Sequence, residues 1–192
     1  MGKTRAKPRI SVGSGLPDIA LGAAEAAAVM GVHWTQAGVM ARKGLLTVRV
    51  LAPAAKTAGI RDVAIYSLAE AEADYQEYLE TKEAGKGGRP RVHLDEREAV
   101  LRHLRTLKHQ ITFGDACGVA EAAGIMGVHW TFPPKMARAG TIVGRVLRSG
   151  RPDSSGDRLW VFSRSSCAAN AATAKRLQTA GKKIGRPRRA FA

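Results

Sequence analysis

The tripeptide His33-Trp34-Thr35 returns 96 residues later as His129-Trp130-Thr131. Polar and cationic groups follow each occurrence: Gln36, Arg42 and Lys43 after the first, Lys135 and Arg138 with Phe132 after the second. Imidazole, hydroxyl, amide and guanidinium groups are the types that bond phosphate oxygens and base edges, and an aromatic face can cover a thymine methyl or a sugar. Each tryptophan also fits a second role, packing in a turn or core, and each polar residue fits a solvated helix face. Catalysis is a poorer match. Neither histidine is paired with a carboxylate, and neither has a His or Cys neighbour at metal-ligand spacing. There are no paired carboxylates, nucleophile–base set or phosphate-cradling glycine loop, and the acids concentrate between Asp62 and Glu98. We therefore expect no enzyme activity, no metal and no cofactor.

The charge balance points the same way. Lys and Arg number 31 against 16 Asp and Glu, a formal net charge of +15 over 192 residues. A chain this basic suits a polyanion, because each neutralised phosphate releases condensed counterions. Arg49, Lys56, Arg61, Arg145, Arg148, Arg151 and Arg158 are basic in both copies and suit phosphate contacts, which orient a domain without specifying sequence. Cys117 and Cys167 are in neither a CxxC nor a zinc-like cluster, which fits a reducing, intracellular compartment. The basic first residues lack the apolar core of a signal peptide, and no apolar run is long enough to span a membrane. The expected location is cytoplasmic and associated with nucleic acid, away from membranes.

The recurrence belongs to a long repeat. Residues 24–51 and 120–147 align without a gap, with 17 identities in 28 positions. The same offset pairs Ile65-Tyr66-Ser67 with Val161-Phe162-Ser163. Such a period is too long for a solenoid, so each copy is expected to be a domain. In each, a helix (about 23–30 and 119–126) opens after Gly22 or Gly118, with Glu25 or Glu121 in its first turn. Gly31-Val32 and Gly127-Val128 make a turn, and a second helix ends at Gly44 or Gly140, suited to a left-handed cap. Strand-like residues 47–51 and 143–147 are answered by 63–66 and 159–162, a hairpin with a long tip. A closing helix is expected over about 68–82 and 165–180. Val29, Met30, Val32 and Met40, with Ile125, Met126, Val128 and Met136, recur at helical spacing and read as core.

The order Glu-Ala-Ala-x-x-x-Gly-Val, a Lys/Arg-rich helix end with Gly, then a hairpin resembles the MerR/excisionase-like winged helix-turn-helix superfamily. The resemblance covers about residues 21–80 and 117–180. It implies a mainly α fold with small β-hairpin wings, as two tandem winged helix-turn-helix domains. It also implies double-stranded DNA as partner, with the second helix in the major groove and the wing on the flanking backbone. In that family the second helix starts directly after Gly-Val. Here that start would put Pro133-Pro134 inside the helix, where each ring clashes with a preceding carbonyl. A later start, with Thr35 and Thr131 as N-caps and the prolines in the first turn, removes the conflict.

Lys86-Gly87-Gly88-Arg89-Pro90-Arg91 and Gly185-Arg186-Pro187-Arg188-Arg189 follow the two copies and resemble AT-hooks. Gly lets such a backbone lie flat, Pro keeps it extended, and the arginines suit the narrow minor groove of A·T tracts. A solvated basic linker is the plainer reading. Residues 94–108 look helical, with an apolar stripe at Val100, Leu101, Leu104 and Leu107 that docks on a neighbouring domain or pairs two chains as a homodimer. The expected order is a disordered basic arm (1–15), copy one (16–84), a hook-like linker (85–93), a connecting helix (94–110), copy two (111–180) and a hook-like tail (181–192). Together these features predict a sequence-selective regulator or excisionase-like accessory factor. The alternative is an architectural protein that coats A·T-rich DNA. RNA binding fits less well, because single-strand stacking platforms are missing.

Overall fold

A computed structural model describes residues 15–51, 63–83, 94–147 and 159–183. The first copy runs β1 (Ala20–Leu21), α1 (Ala23–Val29), α2 (Gln36–Arg42), β2 (Val48–Leu51), β3 (Val63–Ser67) and α3 (Leu68–Glu83). Next comes α4 (Leu94–Thr106). The second copy runs β4 (Ala116–Cys117), α5 (Val119–Met126), α6 (Phe132–Arg138), β5 (Gly144–Leu147), β6 (Leu159–Ser163), α7 (Arg164–Ala169) and α8 (Ala171–Lys183). The described residues thus form a mixed α/β chain with eight helices and two three-stranded antiparallel sheets, ordered β1-β3-β2 and β4-β6-β5. A mainly helical chain with small hairpins matches this only loosely, because each expected hairpin gains a third strand.

Local chemistry explains the helix boundaries. Gly22 and Gly118 are extended at the starts of α1 and α5, and the Gly22 N–H donates to Glu25 Oε2 at 2.9 Å. α6 starts at Phe132, so Pro133 and Pro134 fall in its first turn, where no intrahelical N–H bond is lost. Gly44 and Gly140 have φ of +70° and +72° just beyond α2 and α6, a backbone region that favours glycine. Thr35 and Thr131 precede the helices as expected, but neither hydroxyl caps a helix N–H. Each bonds the nearby histidine instead, as described below.

Strand register decides which face each residue serves. Arg49 pairs with Ile65 and Ala20 with Ser67, so these share one face of the first sheet with Leu51, two residues on from Arg49. Val48 and Leu21 both pair with Tyr66 and lie on the opposite face, which packs on the helices. The second sheet repeats this, with Arg145 opposite Val161 and Ala116 opposite Ser163. The two Arg-bearing faces meet. Ala20, Leu51 and Ile65 form one buried cluster with their counterparts Ala116, Leu147 and Val161, joined by Ile111. The layers are therefore helix, sheet, sheet, helix. Backbone bonds add to the join: the Ala20 N–H donates to the Ile111 carbonyl at 2.9 Å, and the Phe113 N–H to the Asp18 carbonyl at 2.7 Å.

The stretch between the copies belongs to copy one. Val100, Leu101 and Leu104 are buried in the first copy's core, and Leu107 packs against it. Arg97 Nε donates to the Val29 carbonyl at 3.1 Å. Of the two uses open to the apolar stripe of 94–108, docking on a neighbouring domain or pairing two chains as a homodimer, the chain covers it by docking on copy one. Copy two closes differently. The long α3 has two helices as its counterpart, because Asn170 interrupts them and its amide donates to the Ser166 carbonyl at 2.9 Å, competing with the helical ladder. α8 then packs on α5 and α6, with Ala174 buried.

α6 also lies closer to its sheet than a larger residue would allow. A Cβ at Gly144 would come within 2.8 Å of Phe162 Cδ1 and 2.9 Å of Ala137 Cβ. The first copy has Val48 at this place. We expect Gly144→Val to destabilise the chain by about 1–3 kcal/mol through overpacking. Urea unfolding checks this, and an unchanged midpoint would refute the close packing.

Candidate nucleic-acid interface

The turn before α2 has the same geometry as the turn before α6. His33 Nδ1 and Thr35 Oγ1 are 3.0 Å apart, and so are His129 Nδ1 and Thr131 Oγ1. The Gln36 N–H donates to the His33 carbonyl at 2.8 Å, and the Phe132 N–H to the His129 carbonyl at 2.9 Å. In each copy the imidazole tilts against the adjacent indole, with ring centroids 5.6 Å and 5.4 Å apart. Trp34 and Trp130 are 38% and 43% exposed, so neither is a core residue. The repeat thus builds, twice, a shelf of exposed imidazole and indole beside a threonine hydroxyl, exposed at Thr35 and half-buried at Thr131, at the start of the second helix.

Beyond each shelf the helix shows its polar side to solvent. Gln36, Arg42 and Lys43 are exposed on α2 and at its end, while Ala37 is buried beneath. On α6, Lys135 and Arg138 are exposed, Phe132 is half-buried, and Pro133 and Met136 face the core. Lys135 Nζ is 5.9 Å from the Phe132 ring centroid, and the Arg138 guanidinium is 5.6 Å from that of Trp160 on β6. Arg42, the counterpart of Arg138, lies near the Tyr66 hydroxyl. Burial pushes the Tyr66 phenol up, and the Arg42 charge pulls it partly back. The phenol therefore stays protonated near neutrality. Val48, Val50 and Val146 are exposed on the helix-side face of their strands.

Two expected contacts are elsewhere. Arg49 and Arg145 read as basic strand residues facing a polyanion, but both turn into the junction between the sheets. Arg145 Nη1 donates to Glu25 Oε1 at 2.8 Å, its Nη2 to Glu25 Oε2 at 3.0 Å, and Nη2 also reaches the Ala20 carbonyl. Its side chain is 9% exposed and that of Glu25 is 2%. Arg49 Nη1 donates to the Gly114 carbonyl at 3.3 Å, and its guanidinium lies 5.6 Å from the Phe113 ring centroid. The physical reason is strand alternation: both arginines share a face with Leu51 or Leu147, and that face is buried. Lys56, Arg61, Arg89, Arg91, Arg148, Arg151, Arg158, Arg186, Arg188 and Arg189 lie outside the described residues.

The sequence reading missed Trp160, whose ring supports Arg138 and stacks on Phe162 with centroids 5.7 Å apart. Its place opposite Val146 on an exposed strand face was the available signal. Among the described residues no group of three or more His, Cys, Asp or Glu side chains could hold a metal ion, and no helix is long and apolar enough to cross a membrane. No protein-family model matches the chain, and comparison with curated proteins returns no match.

Proposed function

We propose that this chain is a non-enzymatic, sequence-selective double-stranded-DNA-binding protein. It carries two winged helix-turn-helix units and acts as a regulator or an excisionase-like accessory factor. α2 and α6 are the reading helices, set into the major groove, where all four base pairs can be distinguished. One observation carries the reading: the His-Trp-Thr shelf and the exposed Arg42 or Arg138 recur at matching places in two copies. A duplicated fold needs to keep its core, but Trp34, Trp130, Arg42 and Arg138 lie outside the core clusters, so core burial does not account for their recurrence. Gln36 and Val39 stand where copy two has Phe132 and Lys135, so the two helices read different bases. The GRPR segments enter the adjacent minor groove, where A·T is told from G·C.

Selection of bound duplexes from a random pool tests this. A defined core beside an A·T-rich flank is the expected outcome. Gln36→Ala or Lys135→Ala should change the preferred core bases, each at about 1–3 kcal/mol of discrimination. Arg89→Ala with Arg186→Ala should weaken binding mainly on A·T-flanked sites and leave the core unchanged. Continuous coating with no enriched core would favour the architectural alternative, and failure to retain duplex DNA would end the proposal.

A further inference from the structure

The two copies are direct repeats in sequence, yet they meet face to face. One buried cluster between them holds counterparts from both copies: Ala20 and Ala116, Leu51 and Leu147, Ile65 and Val161. Both strand arginines also cross the junction, though to different partners. Arg145 of copy two reaches Glu25 and Ala20 of copy one, and its counterpart Arg49 reaches Gly114 and Phe113 of copy two. Gly114 is two residues before Ala116, the counterpart of Ala20. The same sheet face of each copy packed on the other makes an isologous, two-fold arrangement, whereas a head-to-tail arrangement joins two different surfaces. One chain has thus built the pseudo-symmetric equivalent of a dimer.

α2 and α6 pack on the sheet faces turned away from this junction. Gly38 of α2 lies by the Tyr66 hydroxyl, and Ala137 of α6 lies over Gly144. Stacked layers about 10 Å apart therefore set the two helices roughly 30 Å from each other. Successive major-groove faces on one side of a duplex are about 34–36 Å apart. Resting on the DNA-binding reading above, we propose that the target is a pseudo-palindrome: two dissimilar half-sites in inverted orientation, centred about one helical turn apart. A direct repeat of sequence would otherwise suggest a tandem site. The shared buried core fixes the spacing, and the difference between α2 and α6 fixes which half-site lies on which side, so the chain binds in one direction.

Full-length protein would be titrated by fluorescence anisotropy onto duplexes built from the selected site. Reversing one half-site, or inserting five base pairs between the halves, should lower affinity about a hundred-fold, to that of a single half-site. The Phe132→Gln, Lys135→Val double variant carries copy-one residues on α6 and should select a more symmetric site. Equal affinity for direct and inverted arrangements, or tolerance of the insertion, would overturn the inference while leaving DNA binding intact. Absence of saturable binding to any duplex would overturn the inference together with the function on which it rests.

Discussion

Raising salt from 50 to 200 mM should lower the affinity of this chain for duplex DNA roughly a thousand-fold or more. Each phosphate contact releases condensed counterions, so log affinity falls with log salt at a slope of about −0.9 per contact. Six or more contacts produce a loss of that size. Arg42, Lys43, Lys135 and Arg138, on or at the ends of the reading helices, are all exposed. Basic residues in the stretches 52–62 and 148–158 and in the GRPR segments add to them within the +15 total. Arg49 and Arg145 do not count, because both are committed to the junction between the sheets. This makes the prediction specific to position. Arg42→Ala with Lys43→Ala should reduce the magnitude of the slope by about two contacts' worth, whereas Arg145→Met should leave it unchanged in whatever fraction remains folded. Affinities measured at several salt concentrations decide it, and a nearly flat dependence would show that charge is not what holds the DNA.

Much of each copy was legible because strong local signals agreed. Pro133-Pro134 allowed only a late helix start, and Gly44 and Gly140 marked the helix ends by the backbone region they favour. The shelf was legible as residue types, and of the roles open to Trp34 and Trp130 only the core one is excluded, since each packs on its histidine in the turn. The third strand of each sheet was not legible. Ala20–Leu21 and Ala116–Cys117 are two residues long, too short for any periodicity to register. The break at Asn170 depends on one side-chain bond to Ser166, which composition does not reveal. The junction between the copies left a trace that was misread. Val48-Arg49-Val50-Leu51 is apolar on both faces apart from the arginine, as is the strand Val63–Ser67 that answers it. A sheet apolar on both faces needs a layer on each side. The arginines drew attention to solvent, when the leucine beside them pointed to a second sheet.

That junction makes the other large prediction. Arg145→Ala should destabilise the whole chain by about 3–5 kcal/mol, because removing one partner of a buried ion pair leaves the other charged and uncompensated. Glu25 is almost wholly enclosed, and its oxygens accept from both terminal nitrogens of Arg145 and from the Gly22 N–H. The loss should appear in a single unfolding transition, since the two copies share the Ala20, Leu51, Ala116 and Leu147 core and neither can open its sheet face alone. The pseudo-symmetric position provides the control. Arg49→Ala should cost clearly less, because Glu121, the counterpart of Glu25, pairs with Arg164 instead. Arg49 is left with one long bond to Gly114, and its Nε and Nη2 are buried without a hydrogen bond. Leu68 occupies the place corresponding to Arg164 in copy one, so no second arginine there competes for Glu25. Replacing both partners, as Glu25→Gln with Arg145→Met, keeps an acceptor for the Gly22 N–H and fills the space with an apolar chain. It should recover part of what Arg145→Ala loses, since a buried pair replaced by groups of similar volume is often close to neutral. Chemical denaturation of the three variants beside the parent chain measures each term. Equal, small effects at Arg49 and Arg145 would show that apolar packing alone holds the copies together.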